Sequence, residues 1–160
     1  MTSRGAMEAA SRLWPEQDAT GFHYFDFLHA HGSPRQALFY SGLFWPQFVE
    51  FDGMIFLEGA LEDESDRERV REALRLYGGD QAKTEQSFNT IEVPSLFGGR
   101  AAETTTEEDN QLASLVCAMW TARLQQLFPG RVFSVEVAHP SDDEEVAVRF
   151  YQRSQLSRLK

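Results

Sequence analysis

Apolar residues recur at every second position in some stretches of the chain and every three to four positions in others, so both strands and amphipathic helices are expected. In residues 131–137, Phe133, Val135 and Val137 share one face of a strand, and in 146–152, Val146, Val148 and Phe150 share another. The acidic loop HPSDDEE between them predicts antiparallel neighbours. Residues 47–58, QFVEFDGMIFLE, carry the strongest hairpin signal, because Asp52-Gly53 suits a two-residue turn with positive φ. Pairing across that turn sets Phe51 against Met54 and Val49 against Phe56 on a fully apolar face. Phe48 against Leu57 and Glu50 against Ile55 fall on the other. One long bent strand is the competing reading.

The helical periods are as clear. Residues 66–77 place Val70, Ala73, Leu74 and Tyr77 on one narrow stripe, with Ser65 and Glu68 spaced as a capping box and Gly78-Gly79 as the stop. Residues 107–128 place Leu112, Leu115, Val116, Met119, Trp120, Leu124, Leu127 and Phe128 on a wide stripe, with Thr105 and Glu108 as the box and Pro129-Gly130 as the end. Asp80 is placed to cap a short helix through about Ser87, and residues 90–93 suit a short strand. Residues 21–31, GFHYFDFLHAH, have helical length between Thr20 and Gly32, and are apolar nearly all round, which marks a buried or interface element; strand is the alternative. Pro34 suits the first position of another helix, expected to reach Phe39 or Tyr40. Residues 94–106 read as a long loop.

Segregated helices and hairpins argue for an α+β fold. The expectation is an antiparallel sheet of about four strands, in two hairpins, with helices packed mainly on one face. Residues 14–152 are expected to form a single domain, between a flexible N-terminus over 1–13 and a flexible basic tail over 153–160. A chain of 160 residues is long enough to bury a core without disulfides or metal.

Composition changes this picture in two places. Of 13 Phe, most precede residue 60, so the first third must supply core or aromatic surface. Twenty-five acidic residues against 15 basic give a net charge of -10. That argues against nucleic-acid and anionic-membrane binding, which need clustered Lys and Arg, and permits a basic protein partner. Solubility alone explains the same excess. Lys stands only at positions 83 and 160, which codon bias explains as well as any need for Arg geometry. Cys117 is the single cysteine, residues 1–14 lack the apolar core of a signal peptide, and no apolar run approaches membrane-spanning length, so a cytoplasmic setting is expected.

Candidate chemistry is sparse. His23, Asp26, His29 and His31 are the one cluster that resembles a site. On a helix, His23 and His29 lie about 120° apart, without the i,i+4 spacing of zinc-binding helices. On a strand, His29 and His31 share a face, making them weak metal candidates that still need a ligand such as His139. Asp26 sits among Tyr24, Phe25, Phe27 and Leu28, where a carboxylate needs a partner or shifts its pKa; a structural pairing is the more ordinary role than a catalytic acid. Cys117 lies mid-helix among apolar residues, which makes it inert. Gly98-Gly99-Arg100 is too short for a phosphate cradle, though Arg100 could meet an anion. Trp45, before Pro46, is a candidate interface anchor, although core packing is the more frequent fate of such a Trp. Acidic patches occupy 62–68, 107–109 and 142–145. Helix starts account for the first two, which leaves Asp142, Asp143, Glu144 and Glu145 as candidate binding residues.

In size and acidity the chain is similar to bacterial immunity and antitoxin-like proteins, a likeness carried by no particular residues. The missing catalytic motifs, the acidic patches and the abundant aromatics lead to the expectation of a non-enzymatic protein-binding module, working without a cofactor as a monomer or homodimer; the likeness implies an inhibitor of a basic partner as one form of it. The alternatives are a small metal-dependent or hydrolytic enzyme using the His23/Asp26/His29/His31 cluster, and a small-molecule or lipid carrier lined by the aromatic first third.

Overall fold

The structure, a computed structural model, describes residues 24–97, 105–138 and 145–153. His23, Arg100, His139, Asp142, Asp143 and Glu144, the stretch 1–13 and the tail beyond Arg153 lie outside the described residues. The chain divides into two compact units, Met1–Leu43 and Phe44–Lys160.

The first unit contributes Tyr24–His31 (α1) and most of Pro34–Phe44 (α2). Glycine is required where α1 ends, because a Cβ on Gly32 would fall 2.3 Å from the Leu28 carbonyl oxygen that its own N–H reaches. Pro34 opens α2 as expected, yet the helix runs past Tyr40 to Phe44. Its stop is Pro46, which keeps the preceding residue out of the helical region; the Ser41 hydroxyl, bonded back to the Leu38 carbonyl at 2.6 Å, lies within the added turn.

The second unit begins with the Asp52-Gly53 hairpin. Phe48–Phe51 (β1) pairs antiparallel with Met54–Leu57 (β2) in the expected register, from Phe51↔Met54 out to Phe48↔Leu57. Asp52 and Gly53 take φ of 49° and 79°, the left-handed pair that such a turn needs, so the bent-strand alternative falls. Both faces of the hairpin are covered. Val49, Phe51, Met54 and Phe56 pack with Leu61, Val70, Leu74 and Phe88. On the other side Phe48 meets the rings of Phe150 at 5.2 Å and Trp120 at 6.5 Å, both edge-on. Met54, Ile55 and Phe56 are therefore buried in succession, and the hairpin is a middle layer.

Glu64–Leu76 (α3) has a capping box, but Asp63 and Asp66 make it where Ser65 and Glu68 were expected. The Asp63 carboxylate reaches the N–H groups of both Ser65 and Asp66 and so starts the helix two residues earlier. Glu68 instead accepts from Arg71 and Arg75. Gln81–Phe88 (α4) is capped by Asp80, and Thr106–Leu127 (α5) by the expected Thr105–Glu108 box. Thr90–Glu92 is β3, Phe133–Ala138 is β4 and Ala147–Gln152 is β5.

The strands make two antiparallel sheets, of two and three strands, and this corrects the expectation of one sheet of about four. The second sheet has the order β3-β5-β4, with β4 and β5 paired as expected and the 90–92 segment added on the far edge of β5. The hairpin cannot join it through backbone bonds, because side chains from α4 take up the facing edge of β2. Helices contact the strands of both sheets, α5 lying against β4 and β5, and α4 against β2 and β5.

Candidate functional site

Two features stand out once the side chains are in place, one buried and polar, the other exposed and apolar. In a hairpin with this register, the N–H and C=O groups of Ile55 and Leu57 point away from β1. Glu85 on the inner side of α4 and Asn89, which caps its C-terminus one turn later, are both fully buried and meet them. Glu85 accepts from the Ile55 N–H at 2.7 Å. Asn89 accepts from the Leu57 N–H at 3.2 Å and donates to the Ile55 carbonyl at 2.8 Å. The same Glu85 carboxylate accepts from the backbone N–H and the side-chain amide of Gln152, each at 2.6 Å. Two side chains thus replace a strand and join β2 to the end of β5.

Arg131 extends the network. Its guanidinium pairs with Glu50 and donates to the Gly53 carbonyl at 3.2 Å and to the Gln152 side-chain oxygen at 3.3 Å. Burial pushes the Glu85 pKa up, while the N–H groups of Gln152 and Ile55 and the nearby Arg131 charge pull it back. All of the carboxylate's close partners belong to the fold, so Glu85 acts as a structural clasp. Sequence reasoning missed it, because Glu85 lies on a short polar helix and Asn89 at its end. The available signal was the unbroken apolar run Met54–Leu57, which requires a strand buried on both sides.

The exposed feature is the pair α1 and α2. Phe25 is 74% exposed, Leu38 74% and Phe39 75%, and Leu28 and Tyr40 are exposed as well. No residue of α2 is buried, although it carries Leu38, Phe39, Tyr40, Leu43 and Phe44. The helix reading of 21–31 holds over Tyr24–His31.

His29 and His31 both fall in the last turn of α1 and are exposed. Among the described residues, no three His, Cys, Asp or Glu side chains gather where they could hold a metal. Asp26 is exposed as well, which corrects the expectation that its apolar sequence neighbours would enclose it. Trp45 is 40% exposed, and its ring carries the guanidinium of Arg123, 5.5 Å from the centroid. Arg123 also donates to the Pro46 carbonyl at 3.4 Å and to Gln47 at 3.2 Å, so Trp45 is held against α5 while one side stays open.

The acidic patches are largely answered from within. Across 62–68, Asp63 and Asp66 cap α3, and Glu64 and Glu68 pair with Arg67, Arg71 and Arg75. Bonds from Ser65 and Asp66 hold the Asp63 carboxyl below its ordinary pKa, and bonds from Arg71, with Arg67 or Arg75, do the same for Glu64 and Glu68. Glu108 completes the α5 box and Glu107 accepts from Gln111. Of the last patch only Glu145 is described; it is exposed and lies 3.4 Å from the Ser95 hydroxyl.

Cys117 is half-buried on α5, and burial, helped by the Glu136 charge, pushes its thiol up from 9.0 to about 11. Thiolate is then about a hundredfold scarcer at neutral pH than for an ordinary cysteine. Iodoacetamide is expected to label Cys117 about a hundredfold more slowly in the native protein than in the urea-unfolded chain. Equal rates followed by mass spectrometry would contradict an inert thiol.

No helix among the described residues is long and apolar enough to cross a membrane. Comparison of the chain with protein-family models, with curated proteins and with solved structures finds no match.

Proposed function

We propose that the protein is a non-enzymatic binding module that engages another protein through the α1–α2 segment. The observation that carries this reading is the exposure of Phe25, Leu28, Leu38, Phe39 and Tyr40 within so short a stretch. Clustered large apolar side chains in water mark interaction surfaces more often than chance placement, and aromatic residues dominate the energetics of such contacts. Besides His29 and His31, residues 24–44 carry only Asp26 and Arg35, so little charge must be stripped of water when the segment is covered. The net charge of -10 favours a basic partner and speeds its approach. An inhibitor of the immunity or antitoxin kind is the form of this reading that unites an apolar contact with an acidic body.

The test uses the full chain as bait in native lysate, at low and high salt, beside a Leu38→Asp/Phe39→Asp double variant. Both positions are exposed, so the variant is expected to fold with an unchanged circular dichroism spectrum. A specific partner held by the wild type should be lost by the variant, and its capture should weaken as salt rises. Equal capture by both proteins, or none by either, removes the reading.

A further inference from the structure

In the three-stranded sheet, β4 has β5 along one edge, and among the described residues nothing is hydrogen-bonded to the backbone along the other. The register shows which groups are left open. The Arg153 N–H donates to the Val132 carbonyl at 2.8 Å, so Val132 and Arg153 form a hydrogen-bonded pair. Alternation then directs the backbone groups of Ser134, Glu136 and Ala138 toward β5, and those of Phe133, Val135 and Val137 outward.

Exposed strand edges are normally blunted by proline, bulges, short length or unpaired charge. β4 has six residues in continuous register, with no proline and no positive φ. Its one charge, Glu136, is neutralised within the sheet by Arg149 at 2.7 Å. The edge therefore keeps its capacity to template another strand.

We propose that β4 pairs antiparallel with β4 of a second copy of this chain, about a two-fold axis at Val135, merging two three-stranded sheets into one of six. With the axis at Val135, that residue faces its own copy and Phe133 faces Val137, so all three outward residues of each strand bond. Ser134 then lies opposite Glu136. Moving the axis one residue toward the C-terminus sets Glu136 against Glu136, a like-charge pair that opposes association. Moving it one residue the other way leaves Val137 without a strand partner. Charge and strand length together thus favour this register over its two neighbours, and a closed two-fold contact uses up both edges. This contact involves different residues from the partner-binding reading and responds to salt in the opposite sense. Two chains of net charge -10 repel, so screening strengthens the self-contact while weakening capture of a basic partner.

Sedimentation equilibrium of the full chain, joined to amide hydrogen exchange, tests the proposal. The mass should rise with concentration from 18.2 kDa to twice that, at lower concentration in high salt than in low. The amides of Phe133, Val135 and Val137 should become roughly tenfold slower to exchange as the dimer forms. Val135→Pro removes a donor that makes no bond within one copy, so the variant should fold and remain monomeric. If that variant fails to fold, hydrogen exchange on the wild type decides alone. A monomer at every concentration and salt, a dimer whose three amides exchange as in the monomer, or a folded Val135→Pro that still dimerises would each overturn the proposal.

Discussion

Replacing Glu85 with alanine is expected to cost the fold about 4 kcal/mol, because one buried and two half-buried N–H donors lose their shared acceptor at once. The donors are the backbone of Ile55 and both the backbone and side chain of Gln152, at 2.6–2.7 Å. The Ile55 N–H cannot turn to water, since Glu85 and Ile55 are fully buried, whereas the Gln152 side-chain amide keeps its bond to the Gly53 carbonyl at 2.9 Å. The midpoint of urea unfolding should fall with little change in slope. Glu85→Gln keeps one acceptor oxygen but turns an NH2 toward a donor, and should cost about half as much. The pH dependence has a definite sign. A carboxyl whose pKa is raised by folding contributes most to stability below its ordinary value and loses part of that contribution as pH rises through the folded value. The cost of Glu85→Ala should therefore be larger just below pH 4.5 than at neutral pH. A cost under about 1 kcal/mol would mean that the hairpin edge has another way to satisfy its donors.

Trp120→Ala is expected to be as damaging, also about 4 kcal/mol. Trp120 is fully buried, and its ring stands edge-on to Phe150 at 5.8 Å and to Phe48 at 6.5 Å. Phe150 in turn meets Phe133 at 6.4 Å. One side chain from α5 therefore touches rings from both sheets, and its removal leaves a cavity that neither a hairpin nor a helix can close without shifting the other. Trp120→Phe keeps part of the edge contact and should recover roughly half of the loss in thermal or urea unfolding. Equal stability of Trp120→Ala and the wild type would show that the two sheets do not depend on this ring.

Much of the fold was legible because its signals are local. The Asp52-Gly53 pair permits one register, and the observed pairing follows it residue by residue. Thr105 and Glu108 needed only their spacing. Asp63 displaced Ser65 as a cap because two good caps stood close together, and a carboxylate able to hold two N–H groups at once starts the earlier helix. What could not be read was placement across distance. Arg131 pairs with Glu50 and Glu85 with Gln152, contacts that no periodicity announces. Position 90–92 was visible as a strand, but its place beside β5 was not. The candidate site is legible only in part. For Trp45 the sequence leaves an interface anchor beside the commoner fate of core packing, and its 40% exposure was not readable there; the exposure of Leu38 and Phe39 likewise contradicts what an apolar stretch ordinarily does.

The hairpin turn has a further consequence for how the molecule is made. The Gly53 carbonyl is held by the side chain of Gln152, 99 residues later, and the clasp on Ile55 is completed only by that same residue. During synthesis at about 5–20 residues per second, the hairpin and α4 emerge several seconds before their fastening. For that interval Phe48, Ile55 and the strand edges face solvent on a nascent chain, the period when aggregation competes with folding and a ribosome-associated chaperone has most to protect.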